Sequence, residues 1–547
     1  MPKLSHFLRY LAIGAAPLAV SIYCLLYWGA SHQQLAAWYK NINPYFYKAS
    51  TWETELFTES VKKAGNWWCL AALFAALVWA YFFRKMAMPE LPKLNLRKQT
   101  VVTTALIALG VIFVSFVQNQ TMLYTSDEVF SAVNFASLPS FQCISNYALP
   151  NNHLFFNTIN GVIFSWSDDL VFTGRLISLF CYWATLCLTW FLLKKWTDSH
   201  WLSVLILFVL ALQFPVLGFS WQARGYELVL LCSCWSLGTF VGYFTKRSPY
   251  LLTLHTVSNV VGILTLPTFL YWWLGLLLAG SLLQGFEKKP DKPFITSSTL
   301  ALSASLILYL PLLSFSGIGA VTDNKYVQSE NATHLHFLTH LNERHYFDGL
   351  FSEWFCVENA SVLFSVMGLL LPMFLFAKSS KYRERMVLGV AYYSIGIAFL
   401  CMSVFILKLP YYRNMIAHGY LALLVPIIAI LPYFRSKYMR PILGVLMLLI
   451  AAVFAKKNYA RIPNNLYYYD VAHEFKKNKK SKININPSSP IYLDYESFYW
   501  WYVLQKNYPG QKLQIKPNRP KSSQLASQIV QHDSLSHTDP GLYQIID

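Results

Sequence analysis

The run Val204-Leu-Ile-Leu-Phe-Val-Leu-Ala-Leu212 decides the fold. It carries no charge, no turn residue and no alternation of polar with apolar side chains, and a membrane-barrel strand requires that alternation. In lipid every backbone N–H and C=O must be satisfied inside the protein, which leaves the helix as the spanning structure for such a run.

Similar runs recur along the 547 residues, 55% of which are hydrophobic and only 13% charged. Too little polar surface remains to cover a water-soluble body of this size. Crossing hydrocarbon takes about 20 residues of helix, and on that length about thirteen spans are expected. They fall at 8–30, 66–84, 100–118, 172–193, 201–219, 226–244, 250–266, 267–285, 298–316, 361–377, 386–407, 414–433 and 440–455. The expected fold is an all-α polytopic membrane protein with a small α/β domain at its C-terminus. Residues 1–99 form N-terminal transmembrane helices and a cytoplasmic loop, 100–455 a transmembrane core with exterior loops at 119–171 and 317–360, and 456–547 an exterior soluble domain. In that domain Pro490 to Asp494, the aromatic-rich Ser497 to Gln505 and Lys512 to Lys516 predict strand, helix and strand. The first apolar stretch follows Lys3 and Arg9 without a cleavage pattern and reads as a retained helix.

Lysine and arginine outnumber acids 44 to 26, a net charge of +18. The excess is spread through short loops between apolar runs. Even Lys476-Lys477-Asn478-Lys479-Lys480 reads as a solvated or membrane-facing tract, so no nucleic-acid partner is expected. Short cytoplasmic loops retain positive charge. Arg84 to Lys98, Lys194 and Lys195, Lys246 and Arg247, Lys288 and Lys289, Lys378 to Arg385 and Arg435 to Arg440 mark one side. Gln118 to Gly174 contains neither Lys nor Arg and marks the other. These clusters, with an odd number of spans, predict a cytoplasmic N-terminus and an exterior C-terminal domain, and the expected location is the plasma (bacterial inner) membrane with that domain periplasmic. Seven of nine cysteines lie in apolar runs; Cys143 and Cys356 lie in the exterior loops, where a disulfide between them stays open.

The stretch Tyr124-Thr-Ser-Asp-Glu-Val-Phe130 sets two carboxylates just beyond the 100–118 helix. Thr125 with Glu128 fits a capping box that would open a surface helix. The functional alternative makes Asp127 a general base at the lipid–water boundary. Farther on come Leu149-Pro150-Asn151-Asn152-His153, Gly174-Arg175-Leu176, Ala223-Arg224-Gly225-Tyr226 and Leu409-Pro410-Tyr-Tyr-Arg413-Asn414. Arg175, Arg224 and Arg413 sit at predicted exterior helix ends, where positive charge calls for an anion nearby. A lipid-linked phosphate would serve, since a guanidinium pairs two phosphate oxygens at once. Snorkelling to headgroups or pairing with an acid would serve equally.

With these motifs in this order the chain, over roughly 100–435, resembles the membrane glycosyltransferases of the GT-C fold. The likeness is to the family 39-like branch of protein mannosyltransferases and aminoarabinose transferases. The resemblance implies Asp127 as the catalytic acid position with Glu128 beside it, and Asn152 and His153 as a loop segment at the acceptor or sugar, with Arg175 nearby. Arg224, Tyr226 and Arg413 would then bind the donor's lipid phosphate. Leu154 follows His153 where the mannosyltransferases commonly have Pro-Pro. The implied reaction moves a sugar from a polyprenyl-phosphate carrier to a hydroxyl of a glycan, lipid or protein acceptor at the exterior face, with inversion. No cofactor is expected, and a divalent metal is compatible but not implied. His336 and His340 share helical metal-ligand spacing, yet an amphipathic segment over the membrane surface accounts for their loop, so no metal site is assigned. A lipid-linked saccharide transporter or flippase, a glycan-binding scaffold and an O-antigen polymerase or ligase are the competing classes. No inverted pair of broken helices supports the transporter.

Overall fold

The computed structural model describes residues 2–40, 57–85, 98–121, 125–147, 152–167, 169–197, 200–322, 328–329, 333, 334, 337, 346–356, 361–377, 382–434, 438–460, 482–485, 514–515 and 543–546. Among them nine helices are long and apolar enough to cross a membrane, or eleven if each of two bent pairs is one span. The chain is thus a multi-pass membrane protein built from helices, and its described residues hold fewer full-length spans than the thirteen expected.

The differences have local causes. The 201–219 run is broken by 72° between His200–Leu212 and Phe214–Ser220. Pro215 opens the second piece, since it has no N–H to continue the first. The first run likewise ends at Gly29, and the chain turns 113° into His32–Lys40. The 250–266 run gives the 17-residue helix Pro249–Thr265, short of a full crossing. The 361–377 run is cut by Pro372 into the helix Ser361–Leu370 and the 3-10 turn Leu371–Phe376.

Burial sorts the spans. Tyr226–Lys246 and Tyr412–Phe434 each bury 72% of their apolar stretch, and Thr100–Asn119 buries 11%. The first two are the axis of the bundle. The last presents Leu106, Leu109, Phe113 and Phe116 outward, where only lipid can cover them. Glu59–Lys85 packs along Lys292–Phe315, Phe269–Glu287 along Tyr382–Ile406, and Tyr226–Lys246 between Pro249–Thr265 and Leu170–Trp196. The N-terminal helices are docked through Val20, Cys24, Tyr27, Phe57 and Cys69, which share a cluster with Leu310 and Phe315.

The two ends of the Tyr226–Lys246 helix carry different chemistry. Past Lys246, Arg247 pairs with Glu287 and Asp291, Arg383 with Glu287, and Lys195 with Glu384. The other end holds Asp127, Arg224 and Arg413. There Tyr346–Phe355 buries Tyr346, Leu350, Trp354 and Phe355, an amphipathic face pressed onto the bundle. Gln328–Ser329 pairs antiparallel with Lys408–Leu409 just before Arg413.

In the C-terminal region three strands form one sheet. Lys482–Ile485 is central, parallel to Gln514–Ile515 and antiparallel to Tyr543–Ile546. The strand expected at 512–516 overlaps Gln514–Ile515, whereas the strand at 490–494 and the helix at 497–505 lie outside the described residues. The Cys143 thiol is unbridged and accepts a hydrogen bond from the Thr158 hydroxyl at 3.5 Å, so the disulfide to Cys356 is not formed.

Candidate functional site

Thr125 starts the Ser126–Ser131 helix. Its hydroxyl accepts the Glu128 N–H at 3.3 Å, and the Glu128 carboxylate accepts the Thr125 N–H at 2.7 Å. Two orphan donors of the first turn are thereby satisfied reciprocally. The same carboxylate accepts Arg175 Nε at 2.8 Å, Arg175 Nη2 at 2.9 Å and the Ala223 N–H at 2.7 Å. The ion pair is sealed, with Arg175 1% and Glu128 0% exposed. Four donors on two oxygens make Glu128 an anchor tying three chain segments together. It leaves the expected catalytic pair for a structural role, and Arg175 leaves the sugar loop for the same reason.

Asp127, one residue earlier, lies about 100° around the helix and so faces another direction. Its side chain is 30% exposed, and its Oδ2 accepts Arg413 Nη1 at 2.9 Å. Arg224 Nη1 stands 3.5 Å from that oxygen and donates to the Asp127 carbonyl at 3.3 Å. The carboxylate and both guanidinium groups therefore meet.

Arg224 is 1% exposed and Arg413 44%. The first is built in: its Nη2 donates to the Tyr226 hydroxyl at 3.2 Å and its Cζ lies 5.4 Å from that ring. The second is carried on the short turn Tyr412–Met415. Two contacts aim that turn. Tyr346 donates to the Pro410 carbonyl at 2.7 Å, and Gly349 lies so close to the Tyr412 phenol that any side chain there would collide with it.

His153 precedes the Leu154–Ile163 helix, buried edge-on against Tyr226 with ring centroids 4.7 Å apart. Its Nδ1 accepts the Gly225 N–H at 2.9 Å. A backbone amide can only donate, so the ring proton is on Nε2. Burial, and then the charges of Arg224 and Arg413, push this histidine well below its ordinary range and hold it neutral. The approach requires glycine: a Cβ at Gly225 would stand 2.6 Å from Thr265 Cγ2 and 2.7 Å from His153 Nδ1. Neighbouring Asn152 donates to the Cys143 and Asn146 carbonyls at 2.7 Å each and accepts from Asn157 at 2.9 Å. It holds the loop in shape rather than facing the cluster.

All eight sequence-derived residues thus gather in one region, in two layers. Glu128, Arg175 and Asn152 form the buried support. Asp127, Arg224, Arg413, Tyr226 and His153 form a second group, in which Asp127 and Arg413 are partly exposed and the other three are buried. Sequence reasoning quoted Gly225 within a motif but gave it no role, and it passed over Glu227, two residues on. Glu227 is fully buried, and neither carboxylate oxygen has a hydrogen-bond partner among the described residues. The signal was available, because an acid inside an apolar span is exceptional. Tyr147, buried beside Arg224 and Tyr226, carried no comparable cue. Among the described residues no group of three His, Cys, Asp or Glu could hold a metal, and His336 and His340 lie outside them.

Chemically this group offers one carboxylate, one buried and one partly exposed cation, and N–H donors without partners among the described residues at the end of a membrane bundle, an arrangement suited to an amphiphile with an anionic head. No protein-family model matches the chain, and no curated protein is significantly similar to it.

Proposed function

We propose that the protein is a membrane glycosyltransferase that moves a sugar from a polyprenyl-phosphate carrier to an acceptor hydroxyl on the exterior, periplasmic face. The observation that carries the proposal is the meeting of Asp127 with Arg413 at 2.9 Å and Arg224 at 3.5 Å, at the end of the two most buried of the described spans. A carboxylate that can accept a proton and a pair of guanidiniums that can hold a leaving phosphate are the two groups such a displacement needs.

In the reaction the donor phosphate draws the arginines from Asp127, and Arg413, the exposed one, moves farther. The freed carboxylate takes the proton of the acceptor hydroxyl. The acceptor oxygen bonds to the anomeric carbon as the bond from that carbon to the phosphate oxygen breaks. The electron pair leaves with the lipid phosphate, held by Arg224 and Arg413, and configuration inverts. Tyr226 keeps Arg224 in place through its 3.2 Å hydrogen bond.

The test is purified protein with a panel of polyprenyl-phosphate sugars, comparing wild type with Asp127→Asn. Transfer from at least one donor, lost in the variant, is expected; equal transfer by both would refute the assignment.

One observation favours a lipid-saccharide transporter instead: the unpartnered Glu227, together with His418, whose two ring nitrogens are also buried and unpartnered. Ionisable groups inside spans commonly mark transport pathways. Loss of substrate movement in Glu227→Gln, with sugar transfer absent from wild type, would favour that class.

A further inference from the structure

Two buried donors at the site have nothing to donate to among the described residues. His153 Nε2 is one and Arg224 Nε is the other. Both residues are 1% exposed, so bulk solvent does not reach them. A buried, unused N–H costs about 1–3 kcal/mol, and such groups in a folded protein call for an explanation. These two border the same ring: His153 packs edge-on against Tyr226 at 4.7 Å, and the Arg224 guanidinium lies 5.4 Å from it. The residue joining them is Gly225, whose N–H fixes the imidazole tautomer.

Each of the other two Arg224 nitrogens already has a partner. Nη1 serves Asp127 and Nη2 serves Tyr226. Nε is the nitrogen left entirely unused, on the edge of the guanidinium that grips an oxyanion side-on. His153 adds a donor without adding charge, because burial and the neighbouring arginines keep its ring neutral. A ligand that satisfies both must bring acceptor oxygens and negative charge, and it would reach them past the partly exposed Asp127 and Arg413.

We propose that His153 Nε2–H and Arg224 Nε–H form a seat for a phosphoryl oxygen, which reassigns His153 from the acceptor loop to the anion. This rests on the proposed function in taking that phosphoryl group to be the head of the lipid donor. The seat itself is a binding site whether or not sugar is transferred. Arg413 then closes over the same group from the exposed side.

The experiment is a titration of the full-length protein in lipid nanodiscs with farnesyl methyl phosphate, a phosphodiester with a prenyl chain, and separately with inorganic phosphate. His153→Asn is the informative variant. Its side-chain oxygen can still accept the Gly225 N–H, while nothing reaches where Nε2–H was. Arg224→Lys keeps the charge and removes Nε–H. Wild type is expected to bind the phosphodiester, and both variants to bind it about tenfold or more weakly, as for loss of a hydrogen bond to a charged acceptor. Asp127→Asn is expected to bind it at least as tightly as wild type. Equal affinity in wild type and a folded His153→Asn, or no binding of either probe by wild type, overturns the seat. Tight inorganic phosphate without phosphodiester binding keeps the seat and removes the lipid donor from it. Phosphodiester binding without sugar transfer from any donor would sink the transferase and leave the seat standing. Transfer that depends on Asp127 and is untouched in His153→Asn would do the reverse.

Discussion

Glu128→Gln is the substitution that separates the two adjacent acids most sharply. Each Glu128 oxygen faces two donors: Oε1 takes Arg175 Nε and the Ala223 N–H, and Oε2 takes Arg175 Nη2 and the Thr125 N–H. Glutamine replaces one oxygen with NH2. Whichever way the amide is flipped, two hydrogen bonds are lost and N–H is set against N–H. Arg175, 1% exposed, keeps its charge without its counter-ion. Hydrogen bonds to charged groups contribute about 1.5–3 kcal/mol each, and removing one partner of a buried ion pair costs about 3–5 kcal/mol. The two figures describe overlapping losses, so the expected cost is about 3–5 kcal/mol. One kcal/mol shifts the melting temperature by about 2–4 °C in domains of 150–250 residues and by less in larger ones, so a fall of roughly 5 °C is expected. Asp127→Asn should behave differently. Its nearer partner Arg413 is 44% exposed and its own side chain 30%, and ion pairs in that setting are worth about 0–1 kcal/mol; the buried Arg224, 3.5 Å away, keeps its hydrogen bonds to the Asp127 carbonyl and the Tyr226 hydroxyl and still faces an amide oxygen. Its melting temperature should stay within about 2 °C of wild type while sugar transfer is lost. Thermal unfolding in detergent, followed by size-exclusion chromatography, measures both. Should Glu128→Gln melt with wild type, or Asp127→Asn melt as low as Glu128→Gln, the division into anchor and working acid would be wrong.

Gly225→Ala forces a methyl to within 2.7 Å of His153 Nδ1 and 2.6 Å of Thr265 Cγ2. Overpacking of this kind costs about 1–3 kcal/mol, so a lower melting temperature together with weakened phosphodiester binding is expected. His153 has a folded-state value depressed below its unfolded one, so the unfolded chain binds a proton that the folded chain refuses. Its share of stability is complete above the ordinary histidine value of about 6.5 and is lost as pH falls toward the depressed value, by up to about 1.4 kcal/mol per pH unit. Melting curves from pH 7.5 to 5 should accordingly fall less steeply in His153→Asn than in wild type. Arg413→Ala should raise the KM for the lipid donor and leave the melting temperature nearly unchanged, read from initial rates across donor concentrations. Arg247→Ala, at the opposite end and 36% exposed, should cost under about 1 kcal/mol, and the difference from wild type should shrink in high salt.

Sequence alone determined that helices cross a membrane, because span formation depends on the apolarity of one continuous segment and its own backbone hydrogen bonds. For the same reason the Thr125–Glu128 capping box was legible: both partners lie within one turn. The unusual arginines at helix ends were visible too, since charge beside a long apolar run has few innocent uses. Tertiary structure alone decided which acid meets which cation. Arg413 is 286 residues from Asp127 and Arg224 is 97 away, and no local pattern encodes such a contact. A rotation of about 100° between consecutive helical residues sends Glu128 into a sealed pair and Asp127 to the open face. The breaks at Gln213 and Gly29 and the short 250–266 helix likewise depend on where proline and neighbouring helices leave the backbone, and hydropathy does not record that. Two N–H groups without partners are invisible in a sequence, because an unmet hydrogen bond is a property of everything that packs around it.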